Sequence, residues 1–224
     1  MTAGALTALW NFSGDDDFSV PPPEAIEAAQ ATVGYMQLTV DNLTVQLNGN
    51  ARLDLGGIAK GYIADEMKKT LLTQGVTSAV INLGGNVVTV GTHPDGKPFR
   101  IGVRKPFTET GEVIGVLSVG NLSVVTSGVD QRGAEADGVY YHHLIDLADG
   151  YPADTGLLSV TVISPQSADG DALSTVCYLL GTDGGAALIE NIPETEAIFI
   201  TTGGEIITTS GIGSDIPFAL GNAE

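Results

Sequence analysis

Basic residues are scarce in this sequence. It has 9 Lys and Arg against 27 Asp and Glu, so its formal charge is −18. Such a charge repels nucleic acids and anionic lipid surfaces, and we expect no nucleic-acid partner. It also repels any anionic ligand, which would need a metal ion or local hydrogen-bond donors to bind.

Cysteine and long apolar runs are also lacking. Cys177 is the single cysteine, which excludes a disulfide within the chain and a cysteine metal cluster. No apolar run approaches the length of a membrane span, so we expect no transmembrane segment. Residues 1–12 lack the basic start and the long apolar stretch of a secretion signal. Hydrophobic residues still make up 43%, enough for a folded core.

Glycine, in contrast, is abundant. The 30 glycines follow no three-residue period and often come in pairs, as at Gly56–Gly57 and Gly84–Gly85. Pairs of this kind are typical of tight turns and of places where the backbone closely approaches a ligand or another segment.

Helical and strand patterns alternate irregularly along the chain. Apolar spacing predicts helices at Pro23–Val33, Ile58–Thr73 and Asp171–Leu180, the last closed by Gly181, with a further helix at Gly184–Asn191. Asp15–Asp17 and Pro21–Pro23 predict a polar loop before the first of these. The predicted strands are Tyr35–Val40, Leu43–Leu47, Ala79–Leu83, Asn86–Val90, Phe99–Val103, Val113–Val119, Leu122–Thr126, Ser159–Ser164, Ala197–Thr202 and Glu205–Thr209. Because strict βαβ alternation is absent, we predict an α+β fold of mixed, largely antiparallel sheets packed with a few helices, in one domain over residues 1–224.

The first candidate site is Asp171–Thr175 (DALST). Residues four apart lie on one helical face, which places the Asp171 carboxylate beside the Thr175 hydroxyl. Both are hard oxygen donors, and Mg²⁺ is held by a few such oxygens together with water and phosphate. The alternative is that Asp171 caps the helix and Thr175 only packs.

The second candidate is Asp54–Gly61 (DLGGIAKG). A glycine pair followed by Lys60 at the start of a helix suits phosphate binding, since helix N-termini and lysines both attract anions. The order of Lys60 and Gly61 excludes a P-loop. A plain strand-to-helix turn is the alternative.

The third candidate is Tyr140–Gly150 (YYHHLIDLADG). Adjacent histidines in a strand face opposite ways, so His142 and His143 alone do not predict a zinc site. One of them is a reasonable general base near neutral pH, and a histidine bonded inside a turn is the alternative. Thr126–Gly128 (TSG) predicts a polar turn that lines a pocket or simply turns the chain.

Together and in order, these segments resemble the ApbE-type flavin transferases, the FAD:protein FMN transferases. The resemblance rests on Leu53–Tyr62 (LDLGGIAKGY), Ile81–Asn86 (INLGGN), Arg100–Pro106 (RIGVRKP), Thr126–Gly128, His143–Asp146 (HLID) with Gly150–Pro152 (GYP), Ser159–Ile163 (SVTVI) and Asp171–Thr175. It runs from about Leu6 to near Phe218.

The resemblance implies an enzyme that binds FAD with Mg²⁺ and moves FMN onto a Thr hydroxyl of an acceptor protein, releasing AMP. Carried over by position, Asp171 and Thr175 would ligate the metal with the carbonyl of Gly57. Lys60 and Ile145 would contact the flavin substrate, and His143 would be the general base. The acceptor, such as a membrane redox-complex subunit, would carry an Asp-x-x-Ser/Thr-x-Ala-Thr type of motif.

Two departures from the family pattern bear on these expectations. The family's Asp-Pro-x-Thr-Gly is here Asp146–Gly150 (DLADG). Residues 1–12 resemble a segment that in the family follows an N-terminal region, which supplies part of the FAD pocket, and we expect that region to be absent here. Family members usually work outside the cytoplasm, often as lipoproteins, which this sequence does not itself signal. Alternative functions are hydrolysis of FAD to FMN and AMP, and a non-catalytic flavin-binding module.

Overall fold

The computed structural model describes residues 2–12, 18–108 and 112–221. The polar loop predicted at Asp15–Asp17 lies outside these residues. The described helices are α1 (Gly4–Trp10), α2 (Pro23–Gln30), α3 (Ala59–Thr73) and α4 (Ser167–Ile189). The described strands are β1 (Leu38–Asp41), β2 (Thr44–Leu47), β3 (Ser78–Leu83), β4 (Asn86–Gly91), β5 (Phe99–Arg104), β6 (Val113–Val119), β7 (Ser123–Gly128), β8 (Gly133–Ala136), β9 (Val139–His142), β10 (Leu157–Ser164), β11 (Glu196–Thr201), β12 (Ile206–Thr208) and β13 (Phe218–Leu220).

The chain divides into two compact units. Unit 1 comprises residues 1–57 and 129–154, and unit 2 comprises residues 58–128 and 155–224. The paired strands in the described sheets are antiparallel, which confirms the predicted α+β class. The prediction of one domain over residues 1–224 stays a prediction.

Unit 1 is built around an aromatic cluster. Trp10 of α1 is almost fully buried and lies within 5.6–6.3 Å, ring to ring, of four aromatic side chains. These are Phe12, Phe18, Tyr141 and Tyr151. The indole Nε1–H of Trp10 donates to the Gly150 carbonyl at 2.8 Å, so its one polar atom is satisfied inside the cluster. The hairpins β1–β2 and β8–β9 complete the unit.

Unit 2 is layered. Its six-stranded sheet, in the order β12-β11-β10-β7-β4-β3, buries one face against the three-stranded sheet β13-β6-β5. Since side chains alternate along a strand, Val124 points into this core while its neighbour Val125 faces α4. Helices α3 and α4 cover that second face.

Helix α4 differs from the prediction in two ways. It begins at Ser167, four residues before Asp171, and it continues to Ile189 with a break at Gly181, whose φ is 71°. The predicted stop at Gly181 therefore marks a kink between two helical parts. By length and composition alone, α4 is the one helix among the described residues that would pass as a membrane span, a test that core helices also pass. Here it packs on β7 and β10.

Helix α4 begins before the predicted start because a residue from another helix caps it. The carboxylate of Asp65, on α3, accepts the backbone N–H groups of Ser167 and Ala168, each at 2.9 Å. It satisfies two of the donors that a helix N-terminus leaves open, and its negative charge suits that end of the helix dipole. Residue Gln166, at the N-cap, supplies no side-chain cap itself.

Helices α3 and α4 approach closely at Gly61. A Cβ at this buried residue would overlap the carbonyl oxygen of Ser167 and approach the Cα of Ala168 at 2.7 Å. The obstacle is backbone at the capped start of α4, which cannot swing aside as a flexible side chain would. Only glycine fits at this point of α3 without moving the helices apart.

We predict that Gly61→Ala lowers the free energy of unfolding by about 3 kcal/mol, because the added methyl group forces backbone apart. Chemical denaturation followed by circular dichroism measures the change. Gly203→Ala is the matched control, since its Cβ would meet nothing closer than Thr201 Oγ1 at 3.6 Å. Equal denaturation midpoints for the two variants would contradict the close approach.

Candidate functional site

Asp171 lies in the second turn of α4 and is 5% exposed. Its Oδ2 accepts the backbone N–H of Gly61 at 2.9 Å. Because α4 begins at Ser167, the alternative in which Asp171 caps the helix is wrong. Within residues 2–12, 18–108 and 112–221, no Lys, Arg or His pairs with this carboxylate. A buried carboxylate with one hydrogen bond and no cation is costly, which makes it a good place for a metal ion.

Thr175 lies one turn further along α4, on the face of Asp171, as the i, i+4 spacing predicted. Its side chain is partly buried, and its Oγ1 is 3.2 Å from the Oγ of Ser127 on β7. Ser127 Oγ is also 2.7 Å from Ser174 Oγ, and Ser174 Oγ–H donates to the backbone carbonyl of Asp171 at 3.0 Å. The hydroxyl of Thr175 is therefore held by a strand as well as by its helix.

Ser127 was not among the predicted site residues. The sequence predicted a turn at Thr126–Gly128, but β7 runs through all three residues to Gly128, where it pairs with Ser159 of β10. The signal that finds Ser127 is the two-residue period of β7. Val125 and Ser127 share the face towards α4, while Thr126 points the other way and bonds Thr161 at 2.8 Å.

Asp65 is the second residue that the sequence reading missed. Its position four residues after Gly61 puts both on one face of α3, so helical spacing could have grouped them. Their partners on α4 are far away in the sequence, and nothing local indicates them.

Lys60 occupies the first turn of α3, immediately before Gly61. Its side chain is partly buried, and among the residues that the structure describes it pairs with no carboxylate. In a chain of charge −18 an unneutralised lysine near a helix N-terminus suits a phosphate-bearing ligand. Lys60 and Asp171 thus both lie at the contact between α3 and α4.

Gly57 belongs to unit 1, in the turn that follows Asp54. The carboxylate of Asp54 accepts Thr7 Oγ1–H and the backbone N–H of Gly56, both at 2.7 Å. Burial favours the neutral acid, but these two hydrogen bonds and nearby positive charge together lower the pKa of Asp54. Asp54 therefore stays ionised and fixes the turn that carries Gly57. The metal role of the Gly57 carbonyl stays a prediction.

His143 follows β9 in unit 1. Its backbone N–H and its ring Nδ1 both lie 3.1 Å from the carbonyl oxygen of Arg132. Because a carbonyl only accepts, Nδ1 must carry the proton, and the basic lone pair of the neutral ring is on Nε2. This is the tautomer that a general base acting through Nε2 requires.

His142, in contrast, is buried, as expected when neighbouring residues face opposite ways. Its Nδ1 accepts the backbone N–H of Leu144 at 3.3 Å. Burial, with a smaller contribution from the charge on His143, lowers the pKa of His142 to about 4. His142 therefore stays neutral in the fold down to about this pH.

Ile145 contributes its side chain to the core of unit 1, beside Leu6, Trp10 and Ile26. It is 6% exposed, and its contact with flavin stays a prediction. Among the described residues no three His, Cys, Asp or Glu side chains cluster as a metal site.

The pKa of His142 predicts how stability depends on pH. Below about pH 6.5 the unfolded histidine binds a proton while the folded one stays neutral, so stability falls by up to about 3 kcal/mol as the pH drops to 4. Trp10, the only tryptophan, reports unfolding of unit 1 by fluorescence. His142→Gln should flatten this dependence, and the exposed His93→Gln should leave it unchanged. An equally steep loss in both variants would assign the acid sensitivity to other groups.

Comparison with known proteins agrees with the resemblance. The ApbE family model matches residues 1–199. The chain is 40% identical over 213 residues to a FAD:protein FMN transferase of Klebsiella pneumoniae, covering 94% of this chain and 65% of that protein. It is 36% identical to the FAD:protein FMN transferase of Treponema pallidum, covering 93% of this chain and 62% of that protein. The chain thus spans less than two thirds of the length of these relatives.

Solved structures show the same likeness. The ApbE protein of Thermotoga maritima matches with a TM-score of 0.85 at 32% identity, covering 93% of this chain and 69% of that one. The flavinyl transferase ApbE of Pseudomonas stutzeri, in its apo form, matches with a TM-score of 0.79 at 31% identity, covering 95% and 67%. With a family model matched over 199 residues and relatives of this identity, this chain belongs to the ApbE family.

Proposed function

We propose that this chain takes part in Mg²⁺-dependent transfer of FMN from FAD to a Thr hydroxyl of an acceptor protein, with release of AMP. Relatives at 36–40% identity carry the name FAD:protein FMN transferase. The observation that carries the proposal within this chain is the buried carboxylate of Asp171, which has one hydrogen bond and, among the described residues, no cation.

The residues present fit a magnesium ion. Asp171 offers a carboxylate oxygen and Thr175 a hydroxyl on the same helical face, and both are hard oxygens. The carbonyl of Gly57 is the third ligand that the family resemblance implies. When bound, Mg²⁺ would neutralise charge on the pyrophosphate of FAD.

The remaining roles fall to other side chains. Lys60, which has no carboxylate partner among the described residues, is suited to bind the substrate through its ammonium group. His143 would accept the proton of the acceptor threonine at Nε2, because Nδ1 already donates to Arg132. The threonine oxygen forms a bond to the phosphorus of the FMN half, the bond from that phosphorus to the bridging oxygen breaks, and AMP leaves with this oxygen.

The negative charge of the chain supports a role for a cation in substrate binding. A net charge of −18 opposes the approach of a pyrophosphate, and Lys60 alone offsets little of it. Asp171 and Thr175 would hold such a cation on the same unit as Lys60.

The proposal is tested with FAD, Mg²⁺ and an acceptor segment that carries the Asp-x-x-Ser/Thr-x-Ala-Thr type of motif. We expect a covalently fluorescent acceptor and one AMP per flavin attached, and neither product after chelation of the metal. AMP without a labelled acceptor would indicate FAD hydrolysis instead. FAD binding without AMP release would indicate a non-catalytic module.

Replacing Asp171 by Asn tests the metal site. Asn keeps an oxygen for the Gly61 N–H, so the fold should survive, while the charge is lost. Transfer should fall at least about a hundredfold, because several kcal/mol of charge stabilisation disappear. Asp169→Asn makes the same change at an exposed position of α4 and should alter the rate no more than about twofold. Similar rates in the two variants would rule out Asp171 as a metal ligand.

A further inference from the structure

We infer that Ser127 is a positioning residue that orients the Thr175 hydroxyl so that its oxygen lone pairs, and not its proton, are presented to a cation. The inference rests on the proposed function, because it concerns how this chain prepares one of the proposed Mg²⁺ ligands. It comes from the direction of a chain of four polar groups that link α4 to β7.

The direction is set at one end by a backbone carbonyl. Ser174 Oγ lies 3.0 Å from the carbonyl oxygen of Asp171, and a carbonyl can only accept. A serine hydroxyl has a single proton, so Ser174 uses it on this bond. At the 2.7 Å contact with Ser127, Ser174 must then be the acceptor, and Ser127 must be the donor.

The hydrogen bond between Ser127 and Thr175 also has a defined direction. Once Ser127 has given its proton to Ser174, it can only accept at the 3.2 Å contact with Thr175. Thr175 is therefore the donor there. The hydrogen bonds therefore run in one direction: Thr175 donates to Ser127, Ser127 donates to Ser174, and Ser174 donates to the Asp171 carbonyl.

This order matters for metal binding. A hydroxyl coordinates a cation through an oxygen lone pair, and a proton on that side would repel the ion. Because Thr175 directs its proton to Ser127, both of its lone pairs remain for a cation. This series of hydrogen bonds ends at the backbone carbonyl of Asp171, whose side-chain carboxylate is the second proposed ligand on α4. Both proposed ligands on α4 therefore belong to one hydrogen-bond network.

The geometry of the fold keeps this network in place. Ser127 and Ser174 are both buried, the first in the middle of the layered unit 2 and the second inside α4. The register of β7 against β10 fixes Ser127 opposite Val160, and the two-residue period of β7 turns its side chain to α4. Water has little access to compete for these protons, so the buried hydroxyls keep their order.

The test compares four serine variants by two measurements. One is the Mg²⁺-induced rise in melting temperature of the protein without acceptor, and the other is the Mg²⁺ concentration that half-saturates transfer. Ser127→Ala should raise the half-saturating Mg²⁺ concentration by about tenfold, the size expected for an outer-shell partner of a metal ligand. Ser174→Ala should raise it as well, although no hydrogen bond between the Ser174 and Thr175 hydroxyls is described, because Ser127 could then donate its proton to Thr175.

Ser123→Ala is the matched control. Ser123 lies on the same strand and is also buried, but its Oγ has no hydrogen-bond partner among the described residues. Its loss should leave the response to Mg²⁺ unchanged. Ser127→Thr retains the hydroxyl and should restore most of the affinity for Mg²⁺, with the maximal rate at saturating Mg²⁺ close to that of the unaltered chain.

The outcomes separate the two ideas. If Mg²⁺ stabilises the unaltered chain and Ser127→Ala equally, the orientation of Thr175 by Ser127 is overturned while the metal site stands. A Ser127→Thr variant as weak as Ser127→Ala would also overturn it, since packing and not the hydroxyl would be responsible. If Mg²⁺ fails to stabilise even the unaltered chain, the proposed metal function is overturned together with this inference.

Discussion

The approach of α3 to α4 at Gly61 is a contact between two backbones with no side chain in between. It lets the N–H of Gly61 reach the carboxylate of Asp171, and it brings Asp65 to the open N–H groups at the start of α4. The three bonds run in both senses, since α3 donates one backbone N–H to α4 and accepts two from it. The carboxylate of Asp171 is therefore held by the same contact that joins the helices.

The second constraint is electrostatic. The carboxylate of Asp171, in unit 2, is 5% exposed in a chain of net charge −18. No basic side chain within the described residues forms an ion pair with it. Burial of a carboxylate in this setting is costly unless a cation binds. The cation proposed to bind Asp171 would therefore also stabilise this part of the fold.

Much of the local structure follows from patterns in the sequence. The alternation on both sides of Asp41–Asn42 predicted the hairpin of β1 and β2, and helical spacing predicted α3 within one residue. The i, i+4 relation of Asp171 and Thr175 held, since it depends only on the residues being helical. The start of α4 was wrong by four residues because its cap comes from Asp65, about a hundred residues earlier. The turn predicted at Thr126–Gly128 was wrong because pairing with β10 extends β7 through it.

The sequence by itself determined the class of fold, the family resemblance, and the pairing of a carboxylate with a hydroxyl on one helical face. These are properties of composition, ordered motifs and spacing, which are local. Only the tertiary structure decided that Asp171 is buried without a cation among the described residues, that Nδ1 of His143 lies 3.1 Å from the Arg132 carbonyl, and that Ser127 Oγ lies 3.2 Å from the hydroxyl of Thr175. Each of these depends on a partner from a distant part of the chain, and the direction of a hydrogen bond is settled only when both partners are known.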